Sequence, residues 1–420
     1  MQYIPVTGLN PVGAVKNIII NHFGAALISI AEPTTSRAWT IHQVFKQVNK
    51  IFKYFNEATD PMLKTLLLDS GGFQILMGYI QNNRIREYTD TYHFLLEKFH
   101  SNFENENIKT LIFSLDILNK NMSKEEVFKF NKYSIESSIS LFEKYPKLRD
   151  KQLFIIQSRF PETLEIWKTI IKDNKVFDNY HRYSFGGLVG LKKETNAKFN
   201  HFVPMLFWTL IYAKSLGKDV SKENMFMRQM HMLGQSSRLA IITAVILEEL
   251  TGVSITMDSS EVLRFSPIEA KLPLIYKNGD NFEMARDTDH LAIMLKNNSC
   301  HKDDNYSLDE ALEYLKKSGK VSNPDFVGTV CQGIESTLDF ANMIKEDLKD
   351  KINDRTLLNW NVDDFQQYHS IFKQGRLAQE LVNNLQHAKT GILFLDKEAS
   401  ENNFEDYHKI TKDIIEDYYK

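Results

Sequence analysis

Residues able to do chemistry recur along this chain wherever a short apolar run stops. Asp69 follows Leu66-Leu67-Leu68, Asp116 follows Ile112-Phe113-Ser114-Leu115, Gln157 follows Leu153-Phe154-Ile155-Ile156, and Asp258 follows Val253-Ser254-Ile255-Thr256-Met257. Gly186-Gly187 closes the run Tyr183-Ser184-Phe185 in the same way. A carboxylate can move a proton or attack an electrophilic carbon. A glutamine amide both donates and accepts, and bare glycine lets another molecule approach the backbone. Any one of the acids, taken alone, also reads as a helix N-cap, a common role for aspartate after a strand. The densest cluster is Thr65-Leu66-Leu67-Leu68-Asp69-Ser70-Gly71-Gly72-Phe73-Gln74, a buried-strand pattern ending abruptly in an acid, a hydroxyl and two glycines.

The elements that must position these residues alternate in type. Strands are predicted over Ala25–Ile30, Thr65–Asp69, Thr110–Asp116, Gln152–Gln157, Tyr183–Gly187, Phe226–Leu233 and Val253–Asp258. Helical spacing occupies Ile41–Phe55, Lys124–Glu143, Pro161–Ile171, Phe202–Ser215 and Ser237–Leu250. Strands separated by helices imply parallel pairing through crossovers. Seven such units, with room for an eighth, fit a (β/α)8 TIM barrel better than the alternative, a doubly wound open sheet. In a barrel all C-terminal strand ends face one mouth, so three carboxylates, an amide and a glycine backbone converge there. Beyond Asp289 the chain turns polar and then helical, over Ser307–Lys317, Ile334–Lys349, Asp363–Leu385 and Phe404–Tyr419. The predicted organisation is a barrel core over 1–295 and a C-terminal helical region over 296–420. No Gly/Ser-rich linker separates them, so the tail is expected to pack on the barrel.

Bulk properties narrow the class. The 420 residues are 43% hydrophobic and 12% aromatic, enough for a large core, and the formal net charge of −3 argues against a strongly basic nucleic-acid coat. It leaves room for a local positive groove. Cys300 and Cys331 are the two cysteines, too few for a disulfide framework, which points to a reducing compartment. The longest apolar stretch, Leu239 to Leu247, is about half what a bilayer needs, and Met1-Gln2-Tyr3-Ile4-Pro5 has no signal-peptide pattern. A cytoplasmic protein with no membrane partner is expected.

The run Asp69-Ser70-Gly71-Gly72-Phe73-Gln74 resembles the DSGGFQ signature of the tRNA-guanine transglycosylase superfamily, whose members exchange guanine for a 7-deazaguanine in nucleic acid. Phe185-Gly186-Gly187-Leu188-Val189-Gly190 is similar to that family's GGLAVGE segment, and Asp116, Gln157, Leu233-Gly234 and Asp258 follow in the family's order. The resemblance covers roughly half the chain, from Asp69 through Asp258. It implies that Asp258 is the nucleophile that attacks C1′ of the target nucleotide, and that Asp69 holds the purine's polar edge and assists proton transfer. It further implies that Ser70, Gly71, Gly72, Asp116, Gln157, Gly186, Gly187, Leu188 and Gly234 line the base site, with Phe73 and Leu233 sandwiching the ring. Ordinary core packing is the alternative for those last two. No cofactor is implied for catalysis.

The chain also departs from that pattern. The family's structural zinc uses C-x-C-x-x-C and a later histidine, whereas this sequence offers Cys300, His301 and Cys331, with the cysteines 31 positions apart. That donor set lacks the close spacing a tetrahedral site requires, so the zinc subdomain is expected to be degenerate or lost. The segment before the signature is shorter than the family's, and Ser259-Ser260-Glu261-Val262-Leu263-Arg264 does not reproduce the usual continuation after the nucleophile. An intact base site beside altered docking regions resembles the branch that inserts 7-deazaguanines, such as preQ0 or a derivative, into DNA in bacteria and phages. Arg159, Lys192, Lys193 and Arg264 are candidate phosphate contacts near the expected mouth, and each also reads as an ordinary surface charge. A tRNA-acting enzyme and a non-catalytic tRNA-binding partner subunit are the alternatives, and the family often forms homodimers.

Overall fold

Short apolar runs flanked by helix-forming segments fold here into one parallel sheet wrapped in helices. A computed structural model describes residues 2–5, 25–29, 48–49, 65–76, 78–103, 109–118, 121–157, 161–186, 202–234, 237–259, 275–278, 281–284, 323–373 and 375–419. The sheet strands are β1 (Gln2–Pro5), β2 (Ala25–Ser29), β3 (Thr65–Asp69), β4 (Lys109–Phe113), β5 (Gln152–Gln157), β6 (Arg182–Gly186), β7 (Gln229–Met232) and β8 (Ser254–Ser259). Their order is β1-β8-β7-β6-β5-β4-β3-β2, and every ladder is parallel. The first strand therefore lies beside the last. At its other end the order stops at β2, which approaches β1 to within 8 Å between Cα atoms but shares no ladder with it among the described residues.

The sheet curls. Phe113 on β4 meets His231 on β7 edge to face, with ring centroids 5.1 Å apart. Strands three places apart in a flat sheet would stand about 14 Å from one another. The two-residue strand period sorts side chains into an inner and an outer set. Leu27, Leu67, Leu111, Phe113, Leu153 and Ile155 form a separate cluster on the inside, with Leu233 packed against it. The outer set joins a much larger core shared with the helices.

Those helices are α1 (Gly72–Leu76), α2 (Ile85–Lys98), α3 (His100–Phe103), α4 (Lys124–Lys144), α5 (Pro161–Asp173), α6 (Val176–Asn179), α7 (Phe202–Ser215) and α8 (Arg238–Thr251). A hairpin, β9 (Ile275–Asn278) and β10 (Asn281–Met284), follows, then α9 (Asn323–Asn353), α10 (Val362–Tyr368), α11 (Gly375–Leu395) and α12 (Glu401–Tyr419). Helix α4 starts at a capping box in which Ser123 and Glu126 satisfy each other's backbone N–H. Helix α7 is buried from Phe202 through Ala213, apolar all round, because α11 and α12 cover its outer side. Gly391 of α11 lies so close that a Cβ there would stand 2.2 Å from Phe207 Cγ. Trp208 Nε1 donates to His408 Nδ1 at 2.9 Å, His408 Nε2 lies 2.8 Å from Glu165 Oε1, and Asn384 Nδ2 donates to Thr243 Oγ1 at 3.0 Å. The C-terminal helices are thus fastened to α7 and α8 by buried polar contacts, and to α5 by a half-exposed one, as well as by apolar packing.

An α/β fold with a curled parallel sheet meets the expectation at that level. Three details differ. Strand β4 ends at Phe113, so Asp116 sits in the coil beyond it rather than at the strand end. The helix expected over Asp363–Leu385 is two helices, because His369 is extended and its Nδ1 accepts the Ile371 N–H at 3.1 Å, interrupting the backbone ladder. Strand β1, helix α2 and the β9–β10 hairpin are additions. The helix expected over Ser307–Lys317 lies outside the described residues, as does that over Ile41–Phe55 except for residues 48–49, which are helical.

Candidate active site

Asp69, Gln157 and Asp258 stand at the C-terminal ends of β3, β5 and β8, and β6 ends at Gly186. Register links these ends laterally, since Gln157 pairs with Gly186 and Asp69 with Ser29. Asp116 joins them from its coil, and that coil is held at several points. Ser114 N donates to Leu153 O at 2.7 Å, and Ser114 Oγ accepts the Ile155 N–H at 2.9 Å. Asn131 of α4 accepts the Ile117 N–H at 2.9 Å and donates to Ile117 O at 2.6 Å. Where the ladder stops, the β5 backbone, the Ser114 hydroxyl and the Asn131 side chain of α4 take over the pairing that burial requires.

Asp116 is 3% exposed and accepts a hydrogen bond from Gln157 Nε2. Two glycines make that geometry possible. A Cβ at Gly72 would stand 1.9 Å from Asp116 Oδ1, and one at Gly186 would stand 2.6 Å from Gln157 Nε2. The other amide atom, Gln157 Oε1, is buried and has no hydrogen-bond partner among the described residues, and the same holds for Gln74 Oε1 two residues after Gly72. Unsatisfied buried acceptors are uncommon and mark a place where a donor is missing.

The turn carrying the signature is pinned from below. Ser70 is fully buried, donates through Oγ to Ser114 O at 3.0 Å, and accepts the Tyr88 hydroxyl on its carbonyl at 2.6 Å. Asp69 Oδ1 accepts the Gly71 N–H at 3.3 Å. Asp69 lies within electrostatic reach of both other acids. Burial pushes its pKa above the usual carboxylate value, the Ser29 hydroxyl and the Gly71 amide oppose that push, and the Asp258 charge adds to it. Burial also lifts Asp116, to about 7, against the Gln157 hydrogen bond and with a contribution from Asp69.

Asp258 is 6% exposed, and its Oδ1 receives the Gly234 N–H at 2.9 Å and lies 2.9 Å from His231 Nε2. Both contacts fall on one oxygen, and Oδ2 has no hydrogen bond among the described residues. His231 Nδ1 is 2.8 Å from Thr256 Oγ1, which accepts Gln229 Nε2 at 3.1 Å, and Gln229 Oε1 accepts Arg182 Nη1 at 2.9 Å. One side of the sheet interior is therefore apolar and the other is a polar column that ends at Asp258.

The structure thus brings together Asp69, Ser70, Gly71, Gly72, Asp116, Gln157, Gly186, Gly234 and Asp258. Leu233 is half-buried against the inner apolar cluster. The side chain of Phe73 lies outside the described residues, as do Gly187, Leu188, Arg159, Lys192, Lys193, Arg264, Cys300 and His301. Cys331 falls within α9, but its side chain is also outside them. No group of three or more metal-binding side chains is gathered among the described residues. Sequence reasoning missed His231, Thr256, Gln229 and Arg182. The available signal was the two-residue spacing of Gln229 with His231 and of Thr256 with Asp258, which puts each pair on one strand face.

No helix among the described residues is long and apolar enough to cross a membrane. No known family matches the chain, and no curated protein matches it.

Proposed function

We propose that the chain is a guanine transglycosylase that exchanges guanine for a 7-deazaguanine base in DNA, on a (β/α)8-type barrel, through a covalent aspartyl intermediate. The observation that carries this reading is the pairing of two differently held acids with a base-reading pair. Among the described residues Asp258 is held through Oδ1, and its Oδ2 is the oxygen proposed to attack, while burial biases Asp69 toward its protonated form. Beside them, Asp116 and Gln157 form a buried couple with one acceptor unfilled among the described residues.

In the first displacement, Asp258 Oδ2 forms a bond to C1′ of the target nucleotide. The bond from C1′ to the guanine nitrogen breaks, its electron pair stays on the base, and Asp69 supplies the proton the departing base needs. In the second, the 7-deazaguanine gives a proton to Asp69 and attacks C1′, and the electron pair of the ester bond returns to Asp258. Two inversions give net retention. Asp116, once ionised, accepts the ring and amino N–H groups of a guanine-like edge, and Gln157 Oε1 gains the donor it lacks. The Gly72 and Gly186 backbones leave a flat base room to lie close.

The target base must leave the helix stack to expose C1′, which costs a few kcal/mol for a paired base. Phosphate contacts offset that cost, and Arg159, Lys192, Lys193 and Arg264 are the residues proposed for them. DNA rather than tRNA is favoured because the sequence has no C-x-C-x-x-C cluster, the zinc element of the tRNA-acting members. The test is incorporation of labelled guanine, offered duplex DNA, single-stranded DNA and tRNA in parallel. Label in DNA supports the reading. Label in tRNA alone moves the substrate, and label in neither, with candidate 7-deazaguanines included and the protein folded, refutes the activity.

A further inference from the structure

The hydrogen directions in the polar column behind Asp258 follow from its two ends, an arginine that only donates and a carboxylate that only accepts. Arg182 only donates, so the Gln229 atom 2.9 Å from its Nη1 is the amide oxygen. The Gln229 nitrogen therefore faces Thr256 Oγ1 and donates to it at 3.1 Å. Thr256 keeps its own hydroxyl hydrogen after accepting that bond, and His231 Nδ1, 2.8 Å away, is the acceptor within its reach in this column. A neutral imidazole that accepts at Nδ1 carries its hydrogen on Nε2, and Nε2 lies 2.9 Å from Asp258 Oδ1. An ionised carboxylate only accepts, so this tautomer is the one that fits. Every member is in place: His231 is fully buried, Thr256 and Gln229 are 3% exposed, and Phe113 packs edge-on against the imidazole.

We propose that His231 is the positioning residue of the nucleophile, locked as the Nε2–H tautomer by the Thr256–Gln229–Arg182 chain. This rests on the reading of Asp258 as nucleophile. With the Gly234 amide, the Nε2–H fixes Oδ1, so rotation of the carboxylate is stopped and Oδ2 presents a constant angle to C1′. The same N–H acts again when the ester breaks. As the bond from Oδ2 to C1′ opens, its electron pair returns to the carboxylate, and the growing charge is met by a donor already aligned in a buried site. His231 touches neither the sugar nor the base in this scheme. It contributes to kcat and leaves the KM for the base unchanged.

Two measurements on the full chain test this. The first is the ring-nitrogen NMR spectrum of protein labelled with 15N-histidine, with the His231 signal assigned by its loss in His231→Gln. The wild-type protein should show His231 as the Nε2–H tautomer, and Thr256→Val, which deletes the hydroxyl at Nδ1, should move the Nδ1 signal to that of a nitrogen with no hydrogen bond while Nε2 keeps its hydrogen. A His231 signal in the Nδ1–H or doubly protonated form in the wild type overturns the proposal, whether or not the protein exchanges bases. The second compares His231→Leu with His231→Gln, whose amide nitrogen can reach the same oxygen. Losing a charge-assisted hydrogen bond should lower kcat by roughly tenfold to a hundredfold in the leucine variant. KM for the base should hold, the share of enzyme trapped as ester should rise, and glutamine should recover much of the loss. A leucine variant with wild-type kcat, or a loss seen in KM alone, overturns the proposal. Absence of any exchange by the wild type counts against the transglycosylase reading, and the tautomer measurement then decides the hydrogen-bond chain by itself.

Discussion

Replacing Asp116 by asparagine should change how the protein's stability depends on pH, and the size of the change follows from burial. The ordinary value for an aspartate is 3.8, and burial lifts Asp116 to about 7 in the folded protein. Between those two values the folded state holds a proton that the unfolded chain has released. Stability contributed by the protonated acid is therefore complete below about pH 4, falls as pH rises, and levels off once pH passes about 7. About three pH units separate the two values, and each corresponds to about 1.4 kcal/mol, so the full change is about 4 kcal/mol. Some 2–3 kcal/mol of it, roughly, falls between pH 5 and pH 8. The asparagine introduced by Asp116→Asn has no proton to lose, and its amide keeps the size and the hydrogen-bonding partner at Gln157. Urea midpoints of the two proteins, followed by tryptophan fluorescence, should thus converge toward pH 5 and diverge toward pH 8, with the asparagine variant the more stable at the upper end. Parallel midpoints across this range would show that Asp116 ionises freely, and the account of a desolvated base-reading acid would fail.

Other perturbations probe separate parts of the site and its support. Gly186→Ala places a Cβ 2.6 Å from the end of the Gln157 side chain, so Gln157 should swing aside, weakening base binding at least tenfold, roughly, while circular dichroism and the urea midpoint change little. Calorimetric titration with the free base reads this directly. Gly391→Ala drives a Cβ into Phe207, whose ring cannot retreat between α7 and α11, and should lower stability by about 1–3 kcal/mol through overpacking with exchange kinetics unaltered at low temperature. Tyr88→Phe leaves the buried Ser70 carbonyl without its 2.6 Å donor, so a loss of about 1–3 kcal/mol should appear in the denaturation midpoint.

Much of the fold was legible because strong patterns met no competitor. Phe202–Ser215 coincides with α7, since a long apolar run buried on all sides has few other solutions. Thr65–Asp69 coincides with β3, where the acid and the glycines that follow end the strand. Helix α2 was missed although Ile85, Tyr88, Tyr92, Leu95 and Leu96 repeat at helical spacing, because charged and threonine residues between them dilute the pattern. The hairpin was also missed, although Asn278-Gly279-Asp280-Asn281 between two short β-prone runs is a turn signal. In the site, the acids and Gln157 stood out as polar ends of apolar runs. The His231 column did not, because residues that cooperate only across three strands have no common signature in one dimension. Asp116 was found for a reason that is only partly right. Its strand stops three residues earlier, and Ser114, Leu153 and Asn131, not the β-ladder, carry it to Gln157.

The central claim is that Asp258 forms a covalent bond to the nucleotide whose base is exchanged. Incubating the protein with a guanine-containing DNA oligonucleotide, denaturing it without adding the second base, and recording intact mass tests this most directly. A species heavier than the free protein by the oligonucleotide less one guanine should form with the wild type and be absent from a folded Asp258→Asn variant. An equal yield of that species from Asp258→Asn, or base exchange by the wild type with no adduct at any time point, would contradict it.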